Sequence, residues 1–209
     1  MEKSVLLLSV LFLGAFVANA TVTFYTDQTV FESLYPGLTT EDYSGTIVPA
    51  NSVESDLGAF NSTTNNLCFT PGAIVEGISF DNLNSNHNVV LTPPFMGVTS
   101  VVIGPNQYAD DSEFSFSTPI NAFAIDIVMP TASGTIDIEV FGASGSLGTT
   151  SSTGDLSGVF WGVYSDVEIT SIKFVEQVDN GELFANAQFG VISPSALDNS
   201  TWGSIKSVF

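Results

Sequence analysis

The sequence predicts an all-β protein, an antiparallel β-sandwich of jelly-roll kind with one short N-terminal helix. Three observations lead there. Apolar and polar residues alternate with period two, most regularly at 123–128 and 136–141, where Phe123, Ile125 and Ile127, and then Ile136, Ile138 and Val140, share one face. Such alternation marks strands with one buried side. Turn signals interrupt the chain at short spacing, as at Pro71-Gly72, the Asn-rich stretch 81–88, Ser133-Gly134 and 142–145. Strand patterns do not alternate with helical ones, which argues against the parallel sheets of nucleotide-binding or barrel enzymes.

In chain order, residues 1–20 read as a secretory signal peptide. Lys3 gives the positive start, 5–17 is an apolar run broken only by Ser9 and Gly14, and Ala18 and Ala20 put small residues at −3 and −1 of the cleavage site. The run falls short of the roughly 20 residues that span a bilayer as a helix. The expected product is a domain, 21–192, followed by a tail, 193–209, with no stable transmembrane anchor, secreted or held at the cell surface.

Residues 21–25 form a β-branched and aromatic strand signal. Asp27 then caps a short helix with Val30, Phe31 and Leu34 on one face, ended by Pro36-Gly37. Residues 46–70 read as loop with one short strand. Further strands are expected at 73–80, 100–103, 113–117, 123–128, 136–141, 159–164, 169–177 and 183–190, with 81–88 as a loop.

The formal net charge is −19, with 22 acidic residues against three lysines and no arginine. Binding a phosphate backbone requires clustered cations, so a nucleic-acid partner is excluded. The charge favours solubility and attracts divalent cations. It does not imply disorder, because 44% of residues are apolar and 17 are Phe. Cys68 is the sole cysteine, so no intramolecular disulfide forms and packing alone must hold the fold.

Several short patterns occur in order. They are Thr23-Phe24-Tyr25-Thr26-Asp27 with Phe31 and Pro36-Gly37; Gly37-Leu38-Thr39-Thr40-Glu41-Asp42-Tyr43; Gly77-Ile78-Ser79-Phe80; Pro119-Ile120-Asn121-Ala122-Phe123; Phe160-Trp161-Gly162-Val163; and Asn186-Ala187-Gln188-Phe189-Gly190. Over 21–190 the series resembles a group of exported bacterial β-sandwich domains found in PEP-CTERM-type proteins. The resemblance implies fold and export rather than an activity. The chain departs from the group in two places. Ala185 stands where the group usually has Asp, and the tail lacks the Val-Pro-Glu-Pro-like motif, apolar span and basic end of a PEP-CTERM sorting signal.

Candidate chemistry follows from residue type. Asp110, Asp111 and Glu113 cluster hard oxygen donors of the kind Ca²⁺ takes, and Asp179-Asn180-Gly181-Glu182 is a second such cluster. Trp161, Tyr164 and Tyr108 are candidate sugar-stacking aromatics, with core packing as the competing role for Trp161. Asp126, Asp137 and Glu139 lie at outward positions of neighbouring strands, so a hydrolase working by paired carboxylates is the alternative function. His87 is the only histidine and no Gly-x-Ser-x-Gly elbow accompanies it, so neither a Ser–His–Asp site nor zinc is expected. In the tail, Trp202 and Ile205, with Lys206 between Ile205 and the terminal Val208 and Phe209, form a candidate docking or sorting segment. The expected function is that of a non-enzymatic exported protein, acting on an extracellular polysaccharide or a surface component.

Overall fold

The alternating segments become twelve strands of one antiparallel sheet. The structure is a computed structural model and describes residues 20–131, 133–176 and 181–192. The apolar run of the expected signal peptide with Ala18, the tail residues Trp202, Ile205 and Lys206, and Asp179-Asn180 lie outside the described residues.

The chain opens with β1 (Val22–Tyr25), α1 (Gln28–Leu34) and β2 (Thr39–Glu41). Asp27 caps α1 as expected, its Oδ1 accepting the Val30 N–H at 3.0 Å. Next come β3 (Val53–Leu57), β4 (Phe60–Asn61), β5 (Ile78–Asn82) and β6 (His87–Leu91), a 3-10 turn at Phe95–Gly97, and β7 (Val102–Pro105). The remaining strands are β8 (Ser112–Val128), β9 (Gly134–Gly142), β10 (Gly145–Gly154), β11 (Val159–Glu176) and β12 (Leu183–Gly190). The main path of the sheet runs β10-β9-β11-β8-β12-β7-β6-β3, while β1 adds to β11, β2 to β12, and β4 with β5 to β8. Among the described residues no helix is long and apolar enough to cross a membrane.

Two pairs of expected strands merge. The segments at 113–117 and 123–128 are one 17-residue strand, and those at 159–164 and 169–177 are one 18-residue strand. Their mutual pairing slips between Ile120↔Ile169 and Ser115↔Ser171, which leaves the Pro119 stretch of β8 unpaired with β11. Proline has no N–H for the ladder, so it fits where pairing lapses and the strand bends. Both strands continue through this irregularity. The stretch 46–70 holds two short strands rather than one, and the loop at 81–88 shrinks to four residues between β5 and β6. Asn82 organises that turn, its Oδ1 accepting the N–H groups of Asn84, Ser85 and Asn86.

The inner core is dense in aromatic rings. Phe174 and Phe184 have centroids 4.7 Å apart, and Phe114 meets Phe80 at 5.0 Å and Phe184 edge-on at 5.2 Å. Pairs in such geometry add about 0.5–1.5 kcal/mol each beyond area burial. This packing stands in place of a disulfide. Cys68 is buried in the same core, and burial pushes its thiol up to about 12.

Part of the outer surface is also covered. Ala122 and Ala124 of β8 and Gly162 of β11 are small, and α1 lays Phe31 onto them. Tyr25, Tyr35, Phe160 and Tyr164 ring that contact.

Candidate functional site

The outer face at the β10–β9–β11 edge carries an open groove of about 600 Å³. Its lining includes Asp137 and Glu139 of β9, Thr149 and Ser151 of β10, and Val175 of β11. Period two turns Asp137 and Glu139 outward while Ile136, Ile138 and Val140 fill the core. The β9–β10 hairpin register sets Thr149 opposite Glu139 and Ser151 opposite Asp137. On the other side β11 sets Lys173 opposite Glu139 and Val175 opposite Asp137.

One row of this face crosses five strands. Thr149, Glu139, Lys173, Glu113 and Asp81 are successive neighbours on β10, β9, β11, β8 and β5. With strands about 4.8 Å apart the row is about 19 Å long. Lys173 is the lone cation among the described residues. Its Nζ lies 5.2 Å from the Phe141 ring centroid, and carboxylates hold the neighbouring positions on both sides. The groove thus presents hydroxyls and two carboxylates on the sheet, with Lys173 at the neighbouring register position beside Glu139.

Asp126 does not join Asp137 and Glu139, contrary to expectation. It pairs in register with Phe160, near the start of β11, whereas Asp137 pairs with Val175 near its end. Its Oδ2 accepts the Asn186 Nδ2–H at 2.7 Å on the face shared with α1. Only Asp137 and Glu139 of the three stand together.

The acidic loop also separates. Asp110 is buried, and its carboxylate accepts the Ser85 hydroxyl. Glu113 points outward on β8 beside Lys173. Asp111 lies between them, with its backbone carbonyl accepting the Leu83 N–H. Among the described residues no three His, Cys, Asp or Glu side chains converge as a metal-binding group. Asp110 and Glu113 therefore stand apart, the first turned inward onto Ser85 and the second outward beside Lys173. His87 and Ser85 do not pair either. The Ser85 hydroxyl goes to Asp110, and His87 Nδ1 makes no hydrogen bond.

The three candidate aromatics occupy three different places. Trp161 is 1% exposed and packs against Phe24, Phe123 and Phe174, so its faces are closed to a sugar and its role is core packing. Tyr164 points to the opposite face, under α1, stacked on Tyr35 at 4.8 Å and 9°. The Tyr35 hydroxyl lies 2.7 Å from that of Tyr25, and burial holds its proton well above the ordinary tyrosine range. Tyr108 is 51% exposed and lines a separate small cleft with Phe95, Met96 and Leu183. Asp137, Glu139 and Tyr108 are candidates in the sequence, but the hydroxyls facing the two acids and the apolar partners of Tyr108 are not. Outward Thr149 and Ser151 were the available signal for the groove, but their facing partners depend on a hairpin register that shifts between Ser146 and Gly148.

No protein-family model and no curated protein matches this chain. Two solved structures are similar to it at long range. One is the Family 11 Carbohydrate-Binding Module of cellulosomal cellulase Lic26A-Cel5E of Clostridium thermocellum, 13% identical, with a TM-score of 0.30, covering 75% of this chain and 95% of its own. The other is the Family 11 Carbohydrate-Binding Module from Clostridium thermocellum in complex with a beta-1,3-1,4-mixed-linked tetrasaccharide, 14% identical, with a TM-score of 0.29, covering 75% of this chain and 99% of its own. At that distance they assign no residue here, and the site is defined by this chain's own geometry.

Proposed function

We propose that this protein is an exported, non-catalytic glycan-binding β-sandwich that holds an extracellular polysaccharide along the β10–β9–β11 groove. The observation that carries the reading is the groove itself, about 600 Å³, lined by Asp137, Glu139, Thr149 and Ser151. Its volume falls within the range of roughly 300–1,000 Å³ typical of ligand sites. Carboxylates and hydroxyls pair with the vicinal hydroxyls of a sugar ring, and a sheet holds them in place without ordering cost. The chain's charge of −19 repels polyanions, so the glycan class is neutral or amino-bearing rather than sulfated or uronic.

A glycan array followed by titration calorimetry on the hits tests this. D137A/E139A is expected to weaken binding at least about tenfold, or about 1.4 kcal/mol. Unchanged affinity in that variant would remove the groove from the function. One observation favours a second reading. Asp137 and Glu139 flank the same groove on alternate residues, about 6.6 Å apart along the strand. A hydrolase using this pair releases reducing ends from the bound glycan, and D137N and E139Q each abolish that release. The binding module releases none.

A further inference from the structure

We infer that the apolar cleft beside Tyr108 is a docking site for the chain's own C-terminal tail, occupied within the same molecule by the segment around Trp202 and Ile205. The cleft is distinct from the glycan groove. It lies at the β12–β7–β6–β3 end of the strand order, whereas the groove lies at the β10 end.

The cleft measures about 120 Å³, a volume suited to one apolar side chain. Its floor comes from Leu91 and Leu183, and its rim from Val53, Phe95, Met96 and Tyr108. Val53 and Met96 are each 45% exposed and Tyr108 is 51% exposed, so three large apolar side chains meet solvent around one opening. The opening is built to shape. Gly181 adopts φ +68°, and a Cβ there would stand 2.1 Å from the Tyr108 ring, so only glycine lets the ring lie where it does.

Apolar character and reach both select the tail. The floor and rim are largely apolar, so a suitable occupant is apolar. The tail carries large apolar side chains at Trp202, Ile205, Val208 and Phe209. Ile192 is anchored before the tail by paired hydrogen bonds with the Asn121 side chain, each 2.7 Å. From Ile192 back along β12 to Leu183 is nine residues, about 30 Å. Trp202 lies ten residues beyond Ile192 and Phe209 seventeen, so an extended chain reaches about 33–36 Å and about 56–61 Å respectively. The tail therefore spans the distance with slack.

The test uses the exported full chain with a nitroxide at S207C and ¹³C-labelled methionine methyls. Cys68 is buried, so the label goes to the engineered thiol. Docking predicts loss of the Met96 methyl signal, and recovery of that signal in W202D/I205D chains carrying the same label. M96D cannot report on itself, so a V53D chain supplies the cleft-side control. Val53 is an exposed rim residue, and its change is expected to restore the Met96 signal without unfolding, as judged from the buried Met129 methyl. Equal Met96 intensity in the parent and W202D/I205D chains overturns the proposal. So does equal loss when labelled tails and ¹³C methyls sit on different molecules in a mixed sample, because the occupant is then a second copy. Glycan binding is measured on the same samples. Its survival or loss bears on the groove alone, so the two proposals fail independently.

Discussion

Replacing Gly162 with alanine tests the seat of the helix on the sheet. An ideal Cβ at Gly162 would stand 3.0 Å from Phe31 Cδ2, 3.1 Å from Cε2 and 3.3 Å from Phe160 Cζ. All three contacts are tighter than ordinary van der Waals separation. Phe31 cannot retreat freely. It is fully buried, with the Tyr35, Tyr25 and Phe160 rings centred 5.0, 5.5 and 5.7 Å away. The added methyl must shift either the helix or the aromatic cluster, and overpacking of this kind costs about 2 kcal/mol. For a domain of this size that lowers Tm by about 4–8 °C. Urea unfolding at pH 7 gives the free energy directly. F31L trims the ring that is struck, so G162A should cost less in that background, with a coupling of about 1 kcal/mol. A neutral G162A, or strict additivity of the two changes, would refute the close approach of Phe31 to β11. Glycan binding in the distant groove is expected to survive G162A.

Two other predictions concern buried groups. The Glu41 carboxylate is buried while accepting the N–H groups of Tyr43 and Val75, and burial outweighs those bonds to raise its pKa. A folded-state pKa above the unfolded value means that the proton stabilises the fold. Glu41's contribution is therefore fullest at low pH and declines as pH rises through its raised pKa. Urea stabilities of wild type and E41Q, measured from pH 4 to pH 8, should show the wild-type advantage shrinking with rising pH, and a gap that widens instead contradicts the assignment. The Cys68 thiol, buried and held near 12, should resist a thiol-specific chromogenic reagent in the native protein and react fully in denaturant. Rapid stoichiometric labelling of the native protein would show that the core is open at Cys68.

The legible parts of the fold are those where one face meets water. Ile136, Ile138 and Val140 alternate with Asp137 and Glu139, so both the strand and its orientation follow from the pattern. Asp27 is readable as a cap because its carboxylate competes for the same N–H wherever it precedes a helix. The stretch 160–164 is different. Phe160 and Tyr164 are apolar on one face, and Trp161 and Val163 on the other, because α1 covers the outside. With no wet face, period two cannot say which ring enters the core, and so Trp161 and Tyr164 could not be sorted. Pro119 lies between two expected strands, yet β8 passes through it, since the pairing with β11 lapses there rather than the strand itself. The acidic run 110–113 looked like one cluster on paper. Asp110 precedes β8 and is turned inward onto the Ser85 hydroxyl, while Glu113 lies on β8 and faces outward. The groove needs partners ten or more residues apart, set by hairpin register, and such pairing has no local signature.

The two long strands also decide how the protein bears load. β8 and β11 each pass from the helix-covered face to the groove face without interruption. A force applied at Lys173 or Val175 therefore acts on the same strand that carries Phe160 and Tyr164 under α1. Drag along the strand direction is shared by the many hydrogen bonds that tie β11 to β8 and β9, which must yield together in shear. Drag across the sheet falls first on the β10 hairpin, whose bonds to β9 can peel one at a time. The domain is stiff along its strands and compliant at one edge.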